Sequence, residues 1–195
     1  TLPPAKDRTC WDTHTTHLIY SERKIKMLTH KGTQTLKTER LTLRKFTHND
    51  AESMFLNWAN DERVTRFLTW RPHENIEVTK YVVDLWVKGY ENNDSYQWAI
   101  EFEGKLIGSI SVVKIDEHSE FAEIGYCIGY DFWGKGIMTE AVTAVIDFLF
   151  DEINVNRVTI EHATKNPASG KVAQKCGLTL EGVKREFFKS HDGDF

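Results

Sequence analysis

Polar and apolar positions alternate over residues 40–44, where Leu41 and Leu43 stand between Arg40, Thr42 and Arg44. That two-residue period predicts a half-buried strand. Thr47-His48-Asn49-Asp50 then supplies capping residues for a helix with Ala51, Met54, Phe55 and Trp58 on one face. A second helical stretch is expected over residues 61–67. A third is expected over 76–90, with Val78, Val82, Val83, Leu85, Trp86 and Val87 as its apolar positions. Residues 96–102 and 106–115 read as two strands joined at Glu103-Gly104-Lys105, a hairpin turn. Residues 122–129 predict a strand, 136–150 a strongly apolar helix, and 157–163 a strand. Residues 167–175 predict a helix stopped by Gly177, and 178–188 a last strand before a turn opened by Asp192-Gly193. The order β-α-α-α-β-β-β-α-β-α-β mixes a hairpin with crossovers. It predicts an α/β (α+β) fold, a mixed sheet with helices on both faces.

Composition narrows the function classes. The chain has 195 residues, 40% hydrophobic and 28% charged, which suits one globular domain able to bury a sizeable core. Its formal net charge of −4 argues against a nucleic-acid binder that relies on a broad basic field. Cys10, Cys127 and Cys176 are odd in number and far apart, so neither a disulfide framework nor a zinc site is suggested. The longest apolar run, near residues 141–150, is too short to span a bilayer, and no signal-peptide core stands at the N-terminus. A cytoplasmic location is expected. Residues 1–35 differ in character from the rest and are expected to form an extension, a leader or strand donor; residues 36–195 are expected to form the domain.

Chemistry concentrates in two places. In Tyr126-Cys127-Ile128-Gly129-Tyr130-Asp131-Phe132-Trp133-Gly134-Lys135-Gly136-Ile137-Met138-Thr139-Glu140-Ala141 a strand ends, a glycine-containing turn follows and a helix begins at once. First-turn amides lack internal partners and carry the positive end of the helix dipole. Gly134 and Gly136 let a ligand approach the backbone, so the turn can cradle a pyrophosphate; a plain strand-to-helix turn is the alternative. Downstream, Asn166-Pro167-Ala168-Ser169-Gly170-Lys171 opens a helix with Asn166 as cap. Capping alone accounts for Asn166, and a polar surface accounts for Ser169 and Lys171.

Together these stretches resemble the GNAT superfamily of N-acetyltransferases, and more closely its ribosomal-protein alanine N-acetyltransferase subgroup. The matching residues are Thr38-Glu39-Arg40-Leu41-Thr42-Leu43-Arg44, Ile107-Gly108-Ser109-Ile110, Glu123-Ile124-Gly125-Tyr126, Trp133-Gly134-Lys135-Gly136 with Thr139-Glu140-Ala141, and Asn166-x-x-Ser169 with Lys175-Cys176-Gly177-Leu178. Asp131 departs from the pattern, standing where the superfamily's phosphate loop has Gln or Arg. The resemblance implies acetyl-CoA as acetyl donor, no metal, and a primary amine as acceptor, by direct transfer in a ternary complex. The acceptor it favours is a protein or peptide N-terminal α-amine; a small amine such as an aminoglycoside or polyamine, or a non-catalytic acyl-CoA-binding module, is the alternative. It implies pyrophosphate on the amides of Gly134, Lys135, Gly136, Ile137, Met138 and Thr139, with Trp133 also a cofactor contact. It implies an oxyanion contact near Ile128, cofactor contacts from Asn166 and Lys171, and Ser169 beside the leaving thiolate.

Glu123 is the candidate general base, since it leads into the cofactor turn; a structural carboxylate is the other reading. A peptide α-amine has a pKa of about 7.7–8.0, so a modest base suffices. Cys127 shares the strand parity of Glu123, which makes an acetyl-cysteine conceivable, although such cysteines usually serve as small apolar residues. A homodimer is a possible assembly; no direct nucleic-acid or membrane partner is expected. The resembling family adds one more strand, between those at 157–163 and 178–188, after the turn that Asp192-Gly193 begins. The sequence given ends at Phe195, so the strand-like residues 16–21 are expected to take that slot.

Overall fold

The computed structural model describes residues 28–187; the expected strand at 16–21 and the turn at 192–193 lie outside the described residues. One six-stranded sheet carries the fold, in the order β1-β2-β3-β4-β5-β6. Its strands are β1 (Leu36–Lys37), β2 (Leu41–Arg44), β3 (Gln97–Phe102), β4 (Lys105–Asp116), β5 (Phe121–Ile128) and β6 (Arg157–Thr159). All neighbours pair antiparallel except β5 and β6, which run parallel. The β3–β4 hairpin turns through Glu103 (φ 51°) and Gly104 (φ 72°), two successive left-handed residues that match the sheet's twist.

Alternation along the strands builds two cores. Leu41, Leu43, Trp98, Ile100, Ile107, Ile110, Ala122, Ile124 and Ile128 face α4 (Ile137–Phe148), which buries Ile137, Met138, Ala141, Val142, Val145 and Phe148 against them. Ala99 and Leu106 face the other way. There they meet Ala51 and Met54 from α1 (Ala51–Met54), Val64 from α2 (Glu62–Thr65) and Val83 from α3 (Ile76–Gly89), together with Phe46 from the loop after β2 and Trp58 from the turn after α1. Helices thus cover both faces, as the periodicity predicts. Caps match local chemistry: Asn75 accepts from the amides of Glu77 and Val78, and Asp61 accepts from Arg63. Residues 28–35 pack onto the domain, with Leu28 buried and the Thr33 hydroxyl bonded to Ser95 O and Gln97 N.

Several expected elements differ in extent. The helix expected over 61–67 is only α2, and the first helix widens into a π turn at Phe55–Ala59 after four α residues. The helix expected to end at 150 is α4, extended by a second π turn, Leu149–Ile153. The strand expected over 157–163 stops at Thr159, where pairing with β5 ends. Residues 178–187 form no strand. Extended chain is held by ladder hydrogen bonds, and none joins this segment to the sheet among the described residues. Ion pairs Arg157–Glu181 and Lys184–Glu161 link it to the β6 region, while Leu180, Val183 and Phe187 stay exposed. Helix α5 (Pro167–Lys175) forms as expected, with Gly177 left-handed (φ 87°) just beyond it.

Candidate functional site

The sheet opens beside β5. Ladder pairing between β5 and β6 runs Phe121↔Arg157, Ala122↔Val158 and Glu123↔Thr159, and stops there. On its other side β5 stays paired with β4 as far as Gly108↔Ile128. Gly129 N donates to Ile107 O at 2.8 Å, so strand alternation turns the N–H and C=O of Ile128 and Tyr126 away from β4, into the opening. The carbonyl of Ile128 is taken by the indole of Trp133, Nε1 donating at 2.9 Å, and its N–H has no acceptor among the described residues. Close backbone approach makes the corner possible. A Cβ on Gly129 would stand 2.7 Å from Asn57 O, and one on Gly108 would stand 2.5 Å from Cys127 O.

The turn after β5 is exposed and glycine-dependent. Gly134 (φ 74°) and Gly136 (φ 75°) are both left-handed, and Gly136 caps α4 without a side chain. Glu140 N bonds Gly136 O, so the amides of Ile137, Met138 and Thr139 ahead of it have no helical acceptor. Ile137 and Met138 bury their side chains in the core while Gly134, Lys135 and Gly136 stay open. Trp133 is 46% exposed and its ring lies 5.0 Å from Tyr130. Among the described residues no cluster of His, Cys, Asp or Glu could hold a metal ion.

Helix α5 brings Ser169 against β5. Asn166 Oδ1 accepts from Ser169 N at 3.3 Å, the capping contact expected of it, and Lys171 is exposed. Tyr126 reaches across from β5: its hydroxyl donates to Ser169 O at 3.0 Å and lies 2.9 Å from Ser169 Oγ. A phenol has one proton, so with that proton on the carbonyl it is Ser169 that donates to Tyr126 Oη. Burial raises the Tyr126 pKa, which keeps the phenol protonated. Cys176 Sγ, 3.5 Å from both Thr139 O and Thr143 Oγ1, holds α5 against α4.

Glu123 and Ser169 stand on opposite faces. Tyr126, Ile124 and Ile128 share the α4 face of β5, whereas Cys127 packs into the α1–α3 core, and Glu123 has the parity of Cys127. Glu123 is half-buried at the last β5–β6 pair. Burial first, then the charge of Glu161, raises its pKa above the usual carboxylate value; Lys184 and Lys114 oppose the rise. Burial pushes the Cys127 thiol up to about 11 despite its contact with Ser109 Oγ at 3.3 Å. A thiol so protonated at neutral pH is a poor nucleophile.

Two contributors carry no role in the sequence reading. Tyr126 lies within the quoted Glu123-Ile124-Gly125-Tyr126 run, but its pairing with Ser169 spans 43 residues. Arg40 lies in the quoted Thr38–Arg44 run, and its guanidinium reaches the glycine turn: Nη1 donates to Lys135 O at 3.2 Å and Nε to Glu140 at 2.7 Å. No local pattern announces contacts across such separations.

The chain is similar to known proteins. A family model described as an acetyltransferase (GNAT) domain matches residues 40–179. An uncharacterized N-acetyltransferase, p20, of Bacillus licheniformis is 32% identical over 161 residues, 80% of this chain and 89% of that protein. A putative ribosomal N-acetyltransferase, YdaF, of Bacillus subtilis is 31% identical over 151 residues, 76% of this chain and 82% of its own. A spermidine N(1)-acetyltransferase of Vibrio cholerae is 25% identical over 150 residues, 76% and 84% of the two chains. Among solved structures, a microcin self-immunity acetyltransferase in complex with acetyl-CoA and AMP superposes with a TM-score of 0.75 at 26% identity, covering 87% of this chain and 94% of that one.

Proposed function

Because the chain belongs to the GNAT acetyltransferase family and is an acetyl-CoA-dependent N-acetyltransferase, we propose that it acetylates the N-terminal α-amine of a protein or peptide. Acetyl-CoA supplies the activated acetyl group as a thioester. The amides of Ile137, Met138 and Thr139 hold its pyrophosphate, with Gly134 and Gly136 keeping the approach clear. The N–H of Ile128 faces the opening and stabilises charge that develops on the thioester carbonyl oxygen. Asn166 and Lys171, at the start of α5, contact the cofactor arm and nucleotide.

Transfer runs through the opening between β5 and β6, from the α4–α5 face to the α1–α3 face. The amine attacks the thioester carbonyl and loses a proton, directly or through water, to the Glu123 carboxylate. The departing thiolate takes a proton from Ser169 Oγ, directly or through water, and Ser169 recovers one from solvent, which balances the proton accepted by Glu123. For that step the Ser169 hydroxyl turns from Tyr126, while Tyr126 keeps the carbonyl of Ser169, and with it the first turn of α5, in place.

The observation that carries the α-amine reading is the half-buried Glu123 carboxylate, its pKa raised by burial, at the acceptor side of the opening. Such a base is matched to an amine of pKa about 7.7–8.0, of which a sizeable minority is already neutral at pH 7. Similarity to a putative ribosomal N-acetyltransferase supports the same reading. A second reading, acetylation of a small polyamine, is favoured by the proximity of the Glu123 and Glu161 carboxylates, which would attract a polycation, and by the spermidine acetyltransferase relative. Thiol release from acetyl-CoA against peptides of varied N-terminus, spermidine and an aminoglycoside tests both. The α-amine reading requires kcat/KM for at least one free-amine peptide to exceed that for spermidine by tenfold or more; the opposite order overturns it.

A further inference from the structure

Arg40 stands in the turn between β1 and β2, a hundred residues before the helix it touches. Its backbone N donates to Glu140 Oε1 at 2.9 Å, and its Nε donates to Glu140 Oε2 at 2.7 Å. Nη1 donates to Lys135 O at 3.2 Å. Thr38 Oγ1 also donates to Glu140 Oε1, at 2.5 Å. These bonds hold the guanidinium in one orientation although the side chain is 40% exposed. The remaining nitrogen, Nη2, has no partner among the described residues. It lies 3.8 Å from the place a Cβ would occupy on Gly136, the residue that caps α4 with its amides open.

The charges around the turn make this placement informative. Lys135, the cation within the turn, sets its Nζ over the Phe132 ring at 5.4 Å. Asp131 brings a carboxylate into the same turn. Glu140 puts another in the first turn of α4, where it would repel a bound phosphate if left bare. Although burial opposes it, bonds from Thr38 and Arg40 lower the Glu140 pKa, so this carboxylate is ionised and paired. Arg40 both masks that charge and offers a free donor toward the anion seat, the forked geometry suited to phosphate oxygens.

We propose that Arg40 is a phosphate ligand of acetyl-CoA, clamped by Glu140 and the Lys135 carbonyl so that Nη2 donates to the pyrophosphate held by the Gly134–Thr139 amides. The proposal rests on the seating of the pyrophosphate at that turn. It distinguishes a charge contact from a mere brace of the turn.

Calorimetry with coenzyme A on the full chain tests it, comparing the parent with Arg40→Gln at about 0.05 M and about 1 M salt. The proposal expects Arg40→Gln to raise Kd at least tenfold at low salt. That ratio should shrink to threefold or less at 1 M, where the screening length is about 3 Å. It also expects the preference for acetyl-CoA over S-acetylpantetheine, which lacks the pyrophosphate, to fall at least tenfold in kcat/KM. A ratio that stays constant with salt means a brace and overturns the proposal, as does an unchanged Kd. Gly136→Val separates the premise: if it weakens coenzyme A binding while Arg40→Gln does not, only the role of Arg40 is wrong. If neither changes Kd, the seating at this turn is wrong as well.

Discussion

Gly136→Val tests the proposed anion seat with a control built into the same chain. Gly136 has φ 75°, a region in which an L residue costs about 1–2 kcal/mol relative to its right-handed preference. The added Cβ would find only Arg40 Nη2 within 4 Å, at 3.8 Å, an ordinary contact, so at the Cβ the cost to the fold is backbone strain rather than a clash. For a chain of this size that strain lowers Tm by about 2–8 °C. Gly177, at φ 87° beyond α5, has nothing within 4 Å of its Cβ position and no part in the turn. Gly177→Val therefore carries the same kind of strain without touching the proposed site. We expect the two variants to lose similar thermal stability by scanning fluorimetry. We expect only Gly136→Val to raise the dissociation constant for coenzyme A by calorimetry, at least about tenfold or about 1.4 kcal/mol. Equal Tm losses with equal, unchanged Kd would refute the reasoning, because backbone strain would then be the whole effect.

Glu123→Gln should lower kcat/KM at pH 7 at least about tenfold, yet leave Tm unchanged or raised. The carboxyl has a folded pKa above its unfolded value, so it stabilises the fold below the unfolded pKa and loses that contribution as pH rises through the folded one. A Tm loss of several degrees with intact turnover would make Glu123 structural. Ser169→Ala should lower kcat more than it alters the Kd of coenzyme A, and Tyr126→Phe should lower kcat by a smaller factor. Steady-state kinetics showing Ser169→Ala within about twofold of the parent would assign the protonation to water. Cys127→Ala should keep kcat within about threefold, and Cys127 should resist alkylation at pH 7.5, given a thiol pKa near 11. Abolished turnover in that variant would restore a covalent route.

Elements with strong internal pattern were legible in the sequence. The alternation at Leu41 and Leu43, the Glu103-Gly104 hairpin turn, the apolar face of α4, the Asn166 cap of α5 and the glycine turn all recur in the structure. Each depends on contacts within a few residues, or on a hydrophobic period that any suitable core would satisfy. Strand β1 escaped notice because two residues make no pattern; pairing with β2 alone defines it. The π turns at Phe55–Ala59 and Leu149–Ile153 have no compositional signature. Residues 178–187 show the converse: apolar residues favour extension there, but without a ladder among the described residues they form no strand.

The candidate site divides along the same line. Backbone chemistry, a strand end, two left-handed glycines and a helix start, is written locally, so the sequence alone locates the turn proposed as the phosphate seat. The placement of Glu123 and Ser169 on opposite faces of the sheet, and the opening between β5 and β6, follow from where interstrand pairing stops. Tyr126 against Ser169, and Arg40 against Glu140, join residues 43 and 100 positions apart. A period or a cap records what one segment does for itself. Which side chains converge on the opening depends on how the sheet diverges and how α4 and α5 pack, and that balance is settled by the whole tertiary structure.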